Sequence, residues 1–197
     1  MIRKFKTEER LHRITETVKS RQFSLHVVLE NIHDPHNVSA IFRTCDAVGV
    51  PKVSFLYTVE KFPKVSRVSS ASASKWIEIE KYNSTDECIG TLKKENFLIY
   101  SSMLDKDAVN LYDLDLTQKI AFVLGNEHRG ISEEIKKLSD RTFYIPMHGM
   151  IQSLNVSVAN AVILYETQRQ RALKGMYSKS ELPDSQLEIL IDKWCAK

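Results

Sequence analysis

Residues 120–132 read Ile120-Ala-Phe-Val-Leu-Gly-Asn-Glu-His-Arg-Gly-Ile-Ser132. The apolar run Ile120–Leu124 predicts a buried strand. Ser132 is a suitable N-cap for a short helix over Ile131–Ser139, with two acidic residues in its first turn. Two glycines bracket four polar residues in between, and glycine there lets the backbone approach a ligand closely. The spacing matches neither a GxGxxG turn nor a phosphate-binding GxxxxGK loop. Strand, polar loop and helix together indicate one unit of an α/β fold.

A second unit of the same kind lies earlier in the chain. Leu25–Leu29 predicts a buried strand, and a helix is predicted over residues 37–48, with Asn37 as its N-cap and Gly49 as its end. The loop and the start of this helix read Asn31-Ile-His-Asp-Pro-His-Asn-Val-Ser-Ala-Ile-Phe-Arg-Thr-Cys45. Open α/β sheets bind ligands at the carboxyl ends of their strands. Spacing alone, however, favours a capped helix with a surface arginine.

A third segment follows the predicted strand Thr142–Ile145. It reads Ile145-Pro-Met-His-Gly-Met-Ile-Gln-Ser-Leu-Asn-Val-Ser-Val-Ala159. Its proline and its glycine bend the chain, and either Ser153 or Asn155 is predicted to cap a long helix over residues 153–173.

The rest of the chain continues the alternation of strands and helices. Further strands are predicted at Val53–Tyr57, Trp76–Ile79 and Phe97–Ser101. Further helices are predicted over residues 4–20 and 84–95, more loosely over 105–118, and after Pro183, and the small-residue stretch Ser69–Ser74 is interpreted as the edge of a loop and a short helix. This order predicts one α/β domain with a largely parallel sheet covered on both faces, and a helical extension at each end.

Length and composition limit the class of protein. A chain of 197 residues with 43% hydrophobic residues is large enough to bury one core. Its three cysteines are isolated, which argues against disulfides or a cysteine zinc site and favours a reducing compartment. The first residues are charged where a signal peptide would be apolar, and no apolar run approaches the roughly 20 residues of a membrane span. We therefore expect a soluble cytoplasmic protein.

Basic residues are concentrated near the two ends of the chain. The net charge is only +3, but residues 1–21 hold seven basic against three acidic side chains, and residues 165–179 hold four against one. Two basic regions that flank a neutral body indicate an anionic partner such as nucleic acid. Charge alone leaves open a second interpretation, two solvated helix faces.

Taken together and in this order, the three segments resemble the SpoU (TrmH) branch of the SPOUT RNA methyltransferases. The matching motifs are Asn-x-x-Asp-Pro-x-Asn…Arg-Thr, Gly-Asn-Glu-x-x-Gly-Ile-Ser and Ile-Pro-Met-x-Gly…Ser-Leu-Asn-Val-Ser-Val-Ala. The resemblance implies a Rossmann-like parallel sheet with a C-terminal deep trefoil knot over about residues 120–165. It also implies a methyltransferase domain over residues 23–165, with basic helical extensions over 1–22 and 166–197.

The resemblance further implies a cofactor, an assembly and a set of site residues. The cofactor would be S-adenosylmethionine, and the protein would be a homodimer formed through the knotted region. Arg43 would be the catalytic residue and reach the partner's cofactor, while Asn37 and Glu127 would position it. The expected cofactor contacts are Leu124, Gly125, Asn126, Ile145, Met147, Ser153, Leu154 and Asn155.

The implied chemistry is the transfer of a methyl group to a ribose 2'-hydroxyl. It needs alignment of oxygen, methyl carbon and sulfur, plus removal of one proton, and it needs no metal. Because arginine holds its proton very strongly, we expect Arg43 to orient the ribose and phosphate and to stabilise the alkoxide. The proton would pass to phosphate or water.

The expected substrate is the D-loop guanosine at position 18 of tRNA. The pairs Ser39-Ala40 and Cys45-Asp46 resemble the tRNA-modifying group of the family, and the basic extensions fit the same reading. The expected RNA contacts are Arg3, Lys4, Arg10, Arg13, Arg169, Arg171 and Lys174. Two alternatives stay open: a 23S ribosomal RNA 2'-O-methyltransferase, and a catalytically silent RNA-binding protein of the same fold.

Several other side chains have a structural interpretation that is favoured over a functional one. His33 and His36 have a spacing that metal ligands can adopt, but the chemistry requires no metal. For His128 and His148 we expect solvation in loops. For Phe5, Phe62 and Tyr177 we expect packing rather than base stacking.

Overall fold

The computed structural model describes residues 2–63 and 73–197, and most of the predicted small-residue stretch lies outside them. Six α-helices lie within this part of the chain, and they are α1 Glu8–Lys19, α2 Pro35–Val48, α3 Thr85–Lys94, α4 Glu133–Leu138, α5 Val156–Leu173 and α6 Asp184–Cys195. The same residues contain seven strands, and they are β1 Leu25–Glu30, β2 Lys52–Leu56, β3 Glu78–Tyr82, β4 Leu98–Ser102, β5 Val109–Asn110, β6 Ile120–Leu124 and β7 Arg141–Tyr144.

The seven strands form one sheet, in the order β3-β2-β1-β6-β4-β7-β5. Every adjacent pair is parallel, which confirms the predicted α/β class. The central strands β1 and β6 are buried along their whole length, as expected for strands covered on both faces. Two late strands are inserted among earlier ones: β6 lies between β1 and β4, and β7 lies between β4 and β5. The trefoil knot itself stays a prediction.

Helices cover both faces of the sheet, because successive side chains of a strand point to opposite sides. Val27 and Leu29 of β1 pack in one core with residues of α2 and α5. Val28 lies between them in sequence and packs in the opposite core with residues of α3 and α4. This arrangement confirms the predicted cover on both faces.

The first and last α-helices pack against each other. Thr7 caps α1, and its hydroxyl accepts a hydrogen bond from the backbone N–H of Arg10. The buried face of α1 presents Ile14 and Val18 to Leu187, Ile191 and Trp194 of α6, and these residues form a third core. The two ends of the chain, predicted separately as helical extensions, therefore form one helical pair.

Two secondary-structure predictions were wrong. The loose helix over 105–118 is instead the short strand β5 followed by one turn of 3-10 helix, Leu111–Asp113. The strand predicted from Trp76 begins two residues later, at Glu78, because Trp76 packs on Trp194 with ring centroids 4.7 Å apart. In the described part of the chain, none of the helices has the length and apolar character needed to cross a membrane.

Candidate functional site

The three loops singled out in the sequence follow β1, β6 and β7. Because all the strands are parallel, these loops lie at one edge of the sheet, where α/β proteins bind ligands. The first loop also corrects a prediction: Asp34, not Asn37, is the N-cap of α2, and its carboxylate accepts a hydrogen bond from the N–H of His36. Pro35 occupies the first helical position, where its missing N–H costs nothing. The side chain of Asn37 is therefore free to serve the site rather than the helix end.

Glu127 joins the first two loops. One carboxylate oxygen accepts a hydrogen bond from the backbone N–H of His33 at 2.8 Å. The other accepts from the N–H of Asp34 at 3.2 Å and from the Asn37 amide at 2.8 Å. Burial on its own would raise the pKa of this carboxyl, but the hydrogen bonds outweigh it and hold the pKa below its ordinary value. Glu127 is therefore a fixed anion that organises the loop.

Asn37 extends this network to the third loop. Its amide oxygen accepts a hydrogen bond from the Asn155 amide at 3.0 Å. Asn155 also caps α5 by accepting a hydrogen bond from the N–H of Ser157, so the cap is the second of the two predicted candidates. The hydrogen-bonded chain Glu127–Asn37–Asn155 thus links three loops that are far apart in sequence.

Asn126 and Asn31 fix the conformation of the loops that border the site. The Asn126 amide donates to the carbonyl of Asn31 at 2.7 Å, and its oxygen accepts from the N–H groups of His128 and Arg129. Asn31 has a positive φ of 51°. Its side-chain oxygen accepts from three successive N–H groups that begin at Thr58. The side chain of Asn126 therefore shapes its own loop, so a cofactor contact there would use the backbone.

Other residues that support the loops carried no sequence prediction of their own. Buried Glu30 accepts a hydrogen bond from the N–H of Ser132 at 3.0 Å, and burial raises the pKa of its carboxyl. Glu60 forms an ion pair with Arg129 at 2.9 Å. A charged residue at the end of an otherwise apolar strand was the available signal for Glu30. The sequence contained no such signal for Glu60, because a glutamate in a polar loop is ordinary.

Gly125 is required by close packing of the backbone. A Cβ atom built on it would lie 2.3 Å from the carbonyl carbon of Gly130 and 2.5 Å from the nitrogen of Ile131. The two ends of the loop therefore touch at this point. Gly130 has a positive φ of 66°, a conformation that suits glycine. The two glycines noted in the sequence thus close one tight loop after β6.

The third loop offers unpaired backbone groups. Within the described chain, the backbone of residues 146–154 makes no hydrogen bond to the rest of the protein. Half-buried side chains of Ile145, Met147 and Leu154 border it, and Ser153 is exposed. An adenine ring needs an N–H donor and a C=O acceptor in one plane and an apolar contact on its faces. This loop contains both kinds of group, so the residues present fit S-adenosylmethionine.

Arg43 lies apart from the network in this chain. It is exposed on α2, six residues after Asn37, and forms no ion pair within residues 2–63 and 73–197. The structure thus brings Asn37, Glu127 and Asn155 together but does not bring Arg43 to them. An exposed arginine without an acidic partner remains available to an anionic ligand or to a second chain.

The predicted RNA-binding residues differ in availability. The prediction of RNA binding was wrong for Arg171, because its guanidinium is fully buried. It donates hydrogen bonds to the carbonyls of Leu116 and Gln118 and to the side chains of Gln22 and Ser24. Lys4, Arg10 and Arg13 are exposed. The remaining three are also accessible but have acidic partners, and the pairs are Arg3 with Glu188 and Asp192, Arg169 with Glu166, and Lys174 with Asp115.

The structure also tests the aromatic and histidine interpretations. Phe62 packs on Tyr57 with centroids 5.4 Å apart, and the Tyr177 hydroxyl donates to the carbonyl of Val48, so packing is confirmed for both. The prediction of packing was wrong for Phe5, which is 86% exposed. The four histidines considered in the sequence are all exposed, and they are His33, His36, His128 and His148. The described residues contain no cluster of three or more His, Cys, Asp or Glu side chains suited to a metal.

Replacing Glu127 by glutamine tests the network. Glutamine keeps one acceptor oxygen and removes the charge, so we expect the free energy of unfolding to fall by about 1–3 kcal/mol. Because the pKa of Glu127 is lowered, this difference is full above its ordinary value of 4.5 and disappears as the pH falls through the lowered value. Urea unfolding of both proteins across this pH range measures it. The exposed Glu78 changed to glutamine is the control, and an equal loss there would contradict the assignment.

A parallel sheet whose carboxyl edge carries a closed glycine loop and a loop of unpaired backbone groups defines an α/β protein with a nucleotide-type ligand site. The profile described as the SpoU rRNA Methylase family matches residues 24–165. The chain belongs to this SpoU methylase family.

Relatives and solved structures agree with this assignment. The tRNA (guanosine(18)-2'-O)-methyltransferase of Thermus thermophilus is 41% identical over 98% of both chains. The crystal structure of the Aquifex aeolicus TrmH/SpoU tRNA modifying enzyme matches with a TM-score of 0.89 and 41% identity, over 96% of both chains. The SpoU methyltransferase AviRb from Streptomyces viridochromogenes, in complex with AdoMet, matches with a TM-score of 0.70 and 25% identity, over 79% of this chain and 62% of AviRb.

Proposed function

We propose that this protein is an S-adenosylmethionine-dependent tRNA (guanosine-2'-O-)-methyltransferase of the cytoplasm that modifies the D-loop guanosine at position 18. The observation that carries the proposal is the Glu127–Asn37–Asn155 chain, which ties the three family motifs into one site. The near-full-length similarity to an enzyme of that name supports the choice of substrate. Residues 23–165 form the catalytic domain, and the paired terminal helices are its RNA-binding extensions.

S-adenosylmethionine supplies an activated methyl group on a positively charged sulfur. This chain would hold it with the loops after β6 and β7. Leu124, Gly125 and Asn126 would line one side, next to the point where the two ends of the glycine loop touch. Ile145, Met147 and Leu154 provide apolar contact on the other side, while Ser153 and Asn155 provide polar groups. The unpaired backbone groups of residues 146–154 would recognise the adenine.

Arg43 completes the site from the partner subunit. It forms no hydrogen bond or ion pair with the network of its own chain, and an arginine that acts across a dimer interface accounts for this. The apolar side chains Met150 and Ile151 of the third loop and Val158 of α5 are well exposed in the single chain, at 98%, 63% and 48%. Apolar side chains presented together mark a surface that associates. The homodimer therefore forms through the third loop and α5.

The chemistry assigns a separate task to each group. The ribose 2'-oxygen forms a bond to the methyl carbon as the carbon–sulfur bond breaks, and its proton passes to a phosphate oxygen or to water. The bidentate guanidinium of Arg43 orients the ribose and its phosphate and stabilises negative charge on the attacking oxygen. Asn37 and Glu127 keep α2 and the glycine loop in register. The thioether that leaves is neutral, so the reaction requires no metal ion.

The test is methyl transfer to RNA. The protein is incubated with labelled S-adenosylmethionine and unmodified tRNA transcripts or ribosomal RNA, and the product is mapped by nuclease digestion and mass spectrometry. We expect 2'-O-methylguanosine at position 18 of tRNA. A tRNA with adenosine at that position is the matched control and should stay unlabelled.

Ribosomal RNA is the second candidate substrate, because the description of the matching family profile names rRNA. Label on ribosomal RNA alone would replace the proposed substrate and keep the chemistry. Absence of label on every RNA, together with S-adenosylmethionine binding measured by calorimetry, would indicate a silent RNA-binding protein.

A further inference from the structure

A cavity of about 170 Å³ lies between the helical pair α1–α6 and the end of α2. We call it the tryptophan cavity. It is lined by Arg10, Arg13, Ile14, Thr17, Asp46, Trp76 and Trp194. One water molecule needs roughly 10–15 Å³ of cavity volume. The cavity therefore has room for about a dozen water-sized atoms. A purine base has a similar number of heavy atoms.

The cavity has an aromatic wall faced by a cation. Trp76 packs on Trp194, and the guanidinium of Arg10 lies 5.3 Å from the centre of the Trp76 ring. Trp194 is 6% exposed, while Trp76 is only half-buried. The ammonium groups of Lys75 and Lys197 also lie 4.9 and 5.6 Å from the centre of the Trp76 ring, so the aromatic wall carries several positive charges. A base that displaced the Arg10 guanidinium from the Trp76 ring, with the guanidinium moving to the outer face of the base, would stack on both groups. Proteins hold unpaired bases in this way.

The charges of the cavity favour an anionic ligand. Arg10 and Arg13 form no ion pair with an acidic side chain in the described part of the chain. The one carboxylate in the lining, Asp46, forms an ion pair with buried Arg21 and so does not neutralise them. Two unpaired arginines beside an aromatic wall complement a nucleotide, which has a flat base and a phosphate.

The cavity is also close to the reacting groups. Asp46 follows Arg43 by three residues on α2, which is about 4.5 Å along the helix axis at 1.5 Å per residue. Residues with this spacing lie on the same side of a helix. One RNA strand can therefore contact the cavity and Arg43 at once.

We infer that the tryptophan cavity binds an unpaired purine nucleotide of the substrate RNA, apart from the nucleotide that is methylated. The base stacks between Arg10 and Trp76, and the phosphate binds Arg13. This inference rests on the proposed function for the presence of an RNA substrate. It gives Trp76, which no sequence motif covers, a role in holding RNA.

The tryptophans themselves report on binding, because Trp76 and Trp194 are the two tryptophans of the chain. The full-length protein is titrated with a short single-stranded oligoadenylate RNA while tryptophan emission is recorded. The Trp194→Phe variant isolates the signal of Trp76. We expect saturable quenching by the single strand in both proteins and little by a duplex of the same length. Equal quenching by single strand and duplex would overturn the inference.

Variants then connect the cavity to catalysis. We expect Trp76→Ala and Arg10→Ala to raise KM for tRNA by about 5- to 150-fold, the range for losing one stacked base, with little change in kcat. Trp76→Phe keeps a stacking ring and should lie between them and the wild type. Lys19→Ala is the control, because it removes a positive charge from the same helix outside the cavity.

The outcomes separate this inference from the proposed function. Normal methyl transfer with KM unchanged in folded Trp76→Ala would overturn the cavity and leave the enzyme intact. An equal rise of KM in Lys19→Ala would reduce the effect to general charge and overturn the stacking site. Quenching by the single strand without methyl transfer to any RNA would support the cavity and refute the enzyme.

Discussion

Replacing Arg43 by alanine is expected to lower kcat for methyl transfer by about 10²–10³-fold, the loss seen when one group that stabilises charge in a transition state is removed. Binding of S-adenosylmethionine should be unchanged, because Arg43 is assigned to the ribose and its phosphate, while the cofactor contacts are assigned to the loops after β6 and β7. The free energy of unfolding should also change little, because the side chain of Arg43 is exposed. Single-turnover methyl transfer, with calorimetry for the cofactor, measures the two effects separately.

The lysine variant distinguishes charge from geometry. Arg43→Lys keeps the positive charge but loses the planar fork that binds ribose and phosphate together. We expect a loss of at least about tenfold in kcat, which corresponds to one good hydrogen-bonding contact. Near-full activity in Arg43→Lys would contradict orientation by a bidentate guanidinium. Lys137→Ala, an exposed change on α4, is the control.

Mixing two inactive variants tests whether Arg43 acts on the partner's cofactor. One variant is Arg43→Ala, and the other is a cofactor-loop variant such as Leu154→Arg, chosen for lost S-adenosylmethionine binding. If Arg43 acts across the dimer, each mixed dimer has one intact site, and about a quarter of wild-type activity should return after subunits are exchanged at random. If Arg43 acts within its own chain, both sites of the mixed dimer stay defective and no activity returns.

The strands were predictable from sequence because parallel strands buried on both faces are continuous apolar runs. The bounds of β6 were predicted without error, and those of β1 within one residue. The region 105–118 was not predictable in this way. Leu111, Leu114 and Leu116 are buried there at a near-helical spacing, but they lie in a 3-10 turn and an extended segment against α5. Their periodicity comes from tertiary packing and not from a helix.

The site was predicted in its residues but not in its contacts. Asn37 was interpreted as a helix cap because asparagine favours that position, yet Asp34 three residues earlier takes it and leaves Asn37 for Glu127. The hydrogen bond between Asn37 and Asn155 spans 118 residues. Local patterns contain no information about such a pair. Motif order showed which loops belong together, and the sheet topology was needed to see how they meet.

Arg171→Ala should have the largest effect on stability, because the guanidinium of Arg171 is fully buried. This side chain was instead predicted from the sequence to be on the surface. Polar residues such as Asn160 and Thr167 share the buried face of α5 with it, so no apolar stripe marked that face in the sequence. Burial lowers the pKa of Arg171, and its guanidinium donates to the carbonyls of Leu116, Gln118 and Ser24. It therefore ties α5 to the segments that precede β1 and β6.

Removing a buried, fully bonded charge leaves its partners without hydrogen bonds. We expect Arg171→Ala to lower the free energy of unfolding by about 3–5 kcal/mol, measured by urea denaturation. Arg171→Lys should lose less, since one ammonium can satisfy some of the carbonyls. Lys174→Ala, at the C-cap of α5 three residues further on and with a side chain that is 60% exposed, is the matched control and should change stability little. If Arg171→Ala weakened tRNA binding at unchanged stability, the surface interpretation would be right after all, and the buried network would contribute nothing to the fold.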